Sequence, residues 1–102
     1  MKIAINQGQI AAFCRRWKIK EMDFFGSVLR EDFRPDSDVD VLVSFLPETP
    51  WGLFDHVRME EELSGLLGRR VDLVNRKAVE RSTNWIRRDA ILASAKPCYV
   101  AS

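Results

Sequence analysis

Asp38 and Asp40 stand one residue apart in the run DVDVLVSF, residues 38–45. Valine dominates that run and Pro47 and Pro50 close it, which is the pattern of a β-strand. Strand side chains alternate between faces, so an i, i+2 pair projects both carboxylates to one side. Val39, Val41 and Val43 then turn to the other side and fill a core. Two like charges held that close repel unless something positive sits between them. A hard divalent cation is the usual answer, because Mg²⁺ takes oxygen ligands and binds through one or two carboxylates plus substrate phosphates. An acidic, solvent-facing strand carries the same doublet, so the pair alone does not decide between the two.

Three neighbours add to it. Gly26-Ser27 follows a strand-like segment, KEMDFFG, and opens a short helical turn through Val28, Leu29 and Arg30. Amides at such a turn point outward as anion donors, and glycine lets a phosphate approach the backbone. Ser27 adds a hydroxyl. Asp72 sits among Val71, Leu73 and Val74 in RRVDLVN, residues 69–75, a second strand where an unpaired carboxylate would be costly. If that strand lies beside 38–45, Asp72 completes a three-carboxylate site.

The elements that must hold these groups follow from periodicity. Ile10, Phe13, Cys14 and Trp17 predict an amphipathic helix over about residues 6–17 with Asn6 as its N-cap. A second helix runs from about Gly52 to Leu67, apolar at Leu53 and Val57 and again at Leu63, Leu66 and Leu67, with Gly68 as its C-cap. Trp85, Ile86, Ala90 and Ala93 predict a last helix over about 80–95, ending before Pro97. The order helix, strand, strand, helix, strand, helix is that of an α/β or α+β unit on a small mixed sheet of three or slightly more strands. At 102 residues, without repeat, low-complexity stretch or linker, one domain over 1–102 is expected.

Composition excludes more than it selects. Lys and Arg number 16 against 15 Asp and Glu, so bulk charge gives no case for direct nucleic-acid or membrane binding. MKIAINQGQIAAF lacks the apolar region of a signal peptide and nothing reaches transmembrane length, so a soluble, cytoplasmic protein is expected. Cys14 and Cys98 match no metal spacing and read as reduced, mostly buried thiols. The single histidine, His56, reads as a helix-surface or packing residue rather than a zinc ligand. MEEEL (59–63) and the group Arg81, Trp85, Arg87 and Arg88 read as solvated helix faces. Trp51, Leu53 and Phe54 are either core or, if exposed, a partner surface.

GSVLREDFRPDSDVDVLV, followed about thirty residues later by RRVDLV, resembles the minimal nucleotidyltransferases of the DNA polymerase β-like superfamily. The resemblance covers about residues 23–75 and the flanking helices. It implies a polymerase β-like palm fold, with Gly26 and Ser27 on the triphosphate of an incoming nucleotide and Arg30 near the site. Leu29 and Glu31 flank that arginine where many relatives carry a small residue and a glycine. Asp38 and Asp40 become metal ligands and Asp72 the third carboxylate, on a second Mg²⁺ or taking the proton of the attacking hydroxyl. The reaction implied is in-line attack of a hydroxyl on the α-phosphate of a nucleoside triphosphate, with two Mg²⁺ ions about 4 Å apart and pyrophosphate leaving.

Minimal members of this family commonly serve as antitoxins beside a HEPN-domain ribonuclease toxin. The resemblance therefore implies a protein adenylyltransferase that moves AMP from ATP to a toxin tyrosine, in a hetero-oligomer with that toxin. Two alternatives stay open: a non-catalytic antitoxin acting by complex formation, and a nucleotidyltransferase for a small molecule or an RNA end.

Overall fold

The computed structural model describes residues 5–26 and 38–101. Ser27 and Arg30 lie outside the described residues. Asn6 caps the first helix, α1 (Gln7–Arg16), by accepting from the Gln9 amide at 3.1 Å. The chain turns at Trp17 and Lys18 into β1 (Ile19–Phe25), and β2 follows at Val39–Phe45. Helix α2 (Leu53–Leu67) ends on Gly68, whose φ of 65° is the left-handed C-cap expected of it. Then come β3 (Val71–Asn75), a short helix α3 (Arg76–Glu80), α4 (Trp85–Ser94) and β4 (Lys96–Val100).

The four strands form one mixed sheet in the order β3-β2-β1-β4. β1 is antiparallel to both β2 and β4, and β2 runs parallel to β3. Alternation on the strands separates two apolar clusters. Val39, Val41, Val43, Met22, Phe24, Val71 and Leu73 pack with Ile10, Phe13 and Cys14 of α1 and Met59, Leu63 and Leu67 of α2. On the opposite face Phe25 and Leu42 meet Val79 of α3 and Ile91 of α4. The three valines of β2 are core, as their spacing requires. Each fully buried large side chain contributes about 1.5–3 kcal/mol of transfer free energy.

Three expectations are revised. The helix expected over 80–95 is present as α4 but starts later, at Trp85, and a separate short helix, α3, precedes it, because Asn75 and Asn84 each cap a start: their side chains accept from the amides of Lys77 and Arg87. Pro97 does not merely terminate a helix; it lies in β4, an outer strand where a missing N–H is tolerated. The apolar residues at the start of α2 are not its buried face either, since Leu53 is 78% and Phe54 85% exposed. Trp51 is partly buried, edge-on to Trp17 with ring centroids 5.0 Å apart, and its Nε1 donates to the Trp17 carbonyl.

The outer edge of β3 is closed by α2. Ser64 Oγ accepts from the Val71 amide at 3.1 Å and Glu60 Oε2 from the Leu73 amide at 2.8 Å. His56 Nε2 donates to the Leu73 carbonyl at 2.8 Å. Residues 56, 60 and 64 share one helix face at i, i+4, i+8 spacing, so a single stripe satisfies backbone groups that would otherwise template another strand. This is the role of the lone histidine. Both cysteines are unpaired, and burial pushes each thiol up to about 12, which keeps them protonated and unreactive.

Candidate active site

In-register pairing brings Asp40 and Asp72 together. On the parallel ladder Asp40 lies opposite Asp72, between the pairs Val39–Val71 and Val41–Leu73. Residues opposite each other on parallel strands share a face, and neighbouring strands lie about 4.8 Å apart. The valines and Leu73 therefore point into the larger core, and the two carboxylates point the other way. Both line a cavity of about 540 Å³ whose remaining wall is Phe25, Gly26, Arg87, Ala90, Ile91 and Ser94.

Gly26 is required by this geometry. It ends β1 directly after Phe25, the residue paired with Asp40. Its φ is 71°, and a Cβ added there would stand 2.5 Å from Asp40 Oδ2. No side chain fits between this backbone and the carboxylate. The expected phosphate cradle and the expected metal ligand are thus in direct contact.

Asp38 is placed differently from the expectation. It immediately precedes β2, its side chain is half exposed, and its Oδ1 lies 4.0 Å from Arg70 Nε. It does not line the cavity. Among the described residues no three His, Cys, Asp or Glu side chains close into a cluster able to hold a metal. Asp38 lies one residue before the first ladder pair, Val39–Val71. Among the described residues Asp40 and Asp72 line the cavity, and Asp38 stands one residue before β2, near Arg70. A pair still fits Mg²⁺, which keeps several waters and needs only one or two carboxylates besides substrate phosphates.

Sequence reasoning missed the wall opposite the carboxylates. Arg87, Ile91 and Ser94 fall at i, i+4, i+7 on α4, and Ile91 anchors that helix on Phe25 and Leu42. The available signal was Arg87 at the third position of a helix with no acid in its first turn.

A second charged group shares this face of the sheet. Asp23, 3% exposed, is held by Arg76 at 3.0 Å, and Arg76 also reaches Glu21 at 3.2 Å. Asp23 Oδ1 has no hydrogen-bond partner among the described residues. Burial, then the hydrogen bond and charge of Glu21, raise its pKa from 3.8 to about 6, against the opposing pull of Arg76. A proton on this carboxyl lets it donate toward Glu21. Between pH 4 and 6 the native chain therefore holds a proton that the unfolded chain has released, and stability falls as pH rises through that window. Above it the loss is complete, worth at most about 3 kcal/mol. Asp23→Asn removes this slope. In urea titrations at pH 4.5 and 7.5, the variant is expected to gain about 1–3 kcal/mol on wild type between the two.

The fold defines a class: a small four-stranded mixed sheet with helices on both faces, matching the minimal nucleotidyltransferase fold. The comparisons agree. The chain belongs to the family described as nucleotidyltransferase domain, which matches residues 8–97. It is 43% identical over 65 residues to the protein adenylyltransferase MntA of Thermococcus cleftensis. That match covers 64% of each chain, so it spans less than two thirds of the relative's length. A solved structure of a proposed minimal nucleotidyltransferase superposes with a TM-score of 0.68 at 35% identity, covering 89% of this chain and 87% of that one. A toxin–antitoxin crystal structure with AMP-PNP shares the fold at a TM-score of 0.70 and 18% identity, covering 96% and 76%. A complex of a tri-AMPylated Shewanella oneidensis HEPN toxin with its MNT antitoxin shares it at 0.62 and 20%, covering 93% and 70%. No helix among the described residues is long and apolar enough to cross a membrane.

Proposed function

We propose that this chain is a single-domain antitoxin that acts in the cytoplasm as a protein adenylyltransferase on a HEPN-type ribonuclease toxin. The carrying observation is the in-register Asp40–Asp72 pair lining one cavity with Gly26, whose backbone stands against Asp40. The family and the name of the Thermococcus relative support the AMP-transfer reading, and the HEPN complexes of the structural neighbours support the partner.

In this reading Asp40 and Asp72 hold Mg²⁺, with Asp38 as the third carboxylate of the set. Bound there, Mg²⁺ supplies charge neutralisation for the attacking and leaving oxygens. Gly26 and Ser27 receive the triphosphate, and Arg30 supports them. The acceptor tyrosine oxygen forms a bond to the α-phosphorus, the bond from that phosphorus to the bridging oxygen breaks, and pyrophosphate leaves. Asp72, the more exposed carboxylate of the pair, takes the phenolic proton. The chain's part is mostly to position and to neutralise.

The test mixes the protein with the product of the adjacent gene, ATP and Mg²⁺, and follows the partner's intact mass. The expected result is one or more AMP-sized increments, absent with Asp72→Asn. A toxin neutralised without any increment would overturn the reading in favour of a binding-only antitoxin.

A further inference from the structure

The Asp40–Asp72 pair attracts cations and repels the triphosphate it has to accept. The described wall of the cavity contains a single positive side chain, Arg87. It stands at the third position of α4, its amide held by Asn84 Oδ1 at 3.2 Å, with Ile91 one turn on packed into the sheet. The helix is thus fixed, and Arg87 lines the cavity from it. No salt bridge engages Arg87 among the described residues, whereas its neighbour Arg88 pairs with Asp89 at 3.1 Å. Arg87 and Arg88 occupy the first turns of a helix without any acid in its first turn. Cations there oppose the helix dipole and cost stability. An arginine at such a position, without a salt bridge among the described residues and lining one cavity with two carboxylates and a glycine, departs from a local folding rule.

We propose that Arg87 is a substrate-binding residue that grips the polyphosphate of the incoming nucleotide from the α4 side, opposite the Gly26 cradle. This rests on the nucleotidyl-transfer reading and adds a residue to it. Guanidinium stays charged at all working pH values, so it cannot serve as the base for the acceptor hydroxyl. Its planar fork suits two phosphate oxygens at once.

The test measures dissociation constants for MgATP and for Mg-tripolyphosphate, which has no base or ribose, by displacement of a fluorescent ATP analogue. Arg87→Ala is expected to weaken both by a similar factor of about 10 to 100. Arg87→Lys should recover part of the loss, and Arg88→Ala should stay within about twofold of wild type. Thermal melting of Arg87→Ala at or slightly above wild type is expected, since a cation is removed from a helix start, and keeps the loss from being a folding defect. Wild-type affinity in Arg87→Ala overturns the proposal. So does a loss for ATP but not tripolyphosphate, which would put Arg87 on the nucleoside, or an equal loss in Arg88→Ala, which would make the effect a general field. If the tripolyphosphate pattern holds while no AMP reaches the partner, the toxin reading fails and this one stands. If wild type binds neither probe, both fall.

Discussion

Asp40→Asn is expected to abolish nucleotidyl transfer, by at least about 10³-fold, while the protein melts at or above the wild-type temperature. The two halves of that result come from one cause. Asp40 and Asp72 are held in register on adjacent strands by a ladder that depends on Val39, Val41, Val71 and Leu73, not on the carboxylates. Replacing one carboxylate by its isosteric amide leaves the ladder intact and removes a like-charge repulsion, so the fold is unharmed or slightly stabilised. The same change removes a charged oxygen from the proposed metal pair, and a loss of about 4 kcal/mol of transition-state stabilisation is a factor of about 10³. Melting curves with and without MgATP separate the effects. Wild type should gain stability from the ligand, and Asp40→Asn should gain almost none.

Gly26→Ala is expected to have the second largest effect. A methyl group at this position meets Asp40 Oδ2 at 2.5 Å, and the φ of 71° is one that alanine adopts only at a cost of about 1–2 kcal/mol. The collision is resolved by moving the Asp40 side chain, since Phe25 on one side is locked into the smaller core. A displacement of about 1 Å at a reacting centre is enough for a loss of about 10²-fold. Gly26→Ala should therefore be both less stable and less active. Asp40→Asn is inactive without being destabilised, and denaturation beside a transfer assay distinguishes the two.

How much of this was legible in the residues depended on whether local rules decide the matter. Asn6, Gly68 and the β2 valines act through capping, left-handed backbone and alternation, which operate within a few residues, and the structure follows them. The pairing of Asp40 with Asp72 needed a guess about which strands are neighbours, and the parallel ladder bears it out as geometry. Asp38 lies one residue before the ladder starts, so strand pairing does not fix its place as it fixes that of Asp40. The spacing of Trp85, Ile86, Ala90 and Ala93 predicts the helix but not which of them is buried. Trp85 and Ile86 stand exposed because Ile91 and Leu92 supply the packing of α4. β4 was hidden by Pro97, whose helix-stopping meaning is local but whose place on a sheet edge is tertiary. Arg87 was hidden for the same kind of reason: a helix face shows its neighbours only when the sheet it crosses is known.

In the proposed reading Asp40 and Asp72 form one cation site at which a nucleotide is held. Crystals grown with Mn²⁺ and a non-hydrolysable ATP analogue test it through anomalous scattering. An anomalous peak is expected between the two strands, about 2.1 Å from a carboxylate oxygen of each aspartate, with the triphosphate against Gly26. Nucleotide density in the cavity without a peak there, or a peak that contacts neither Asp40 nor Asp72, would show that the two carboxylates do not form the cation site.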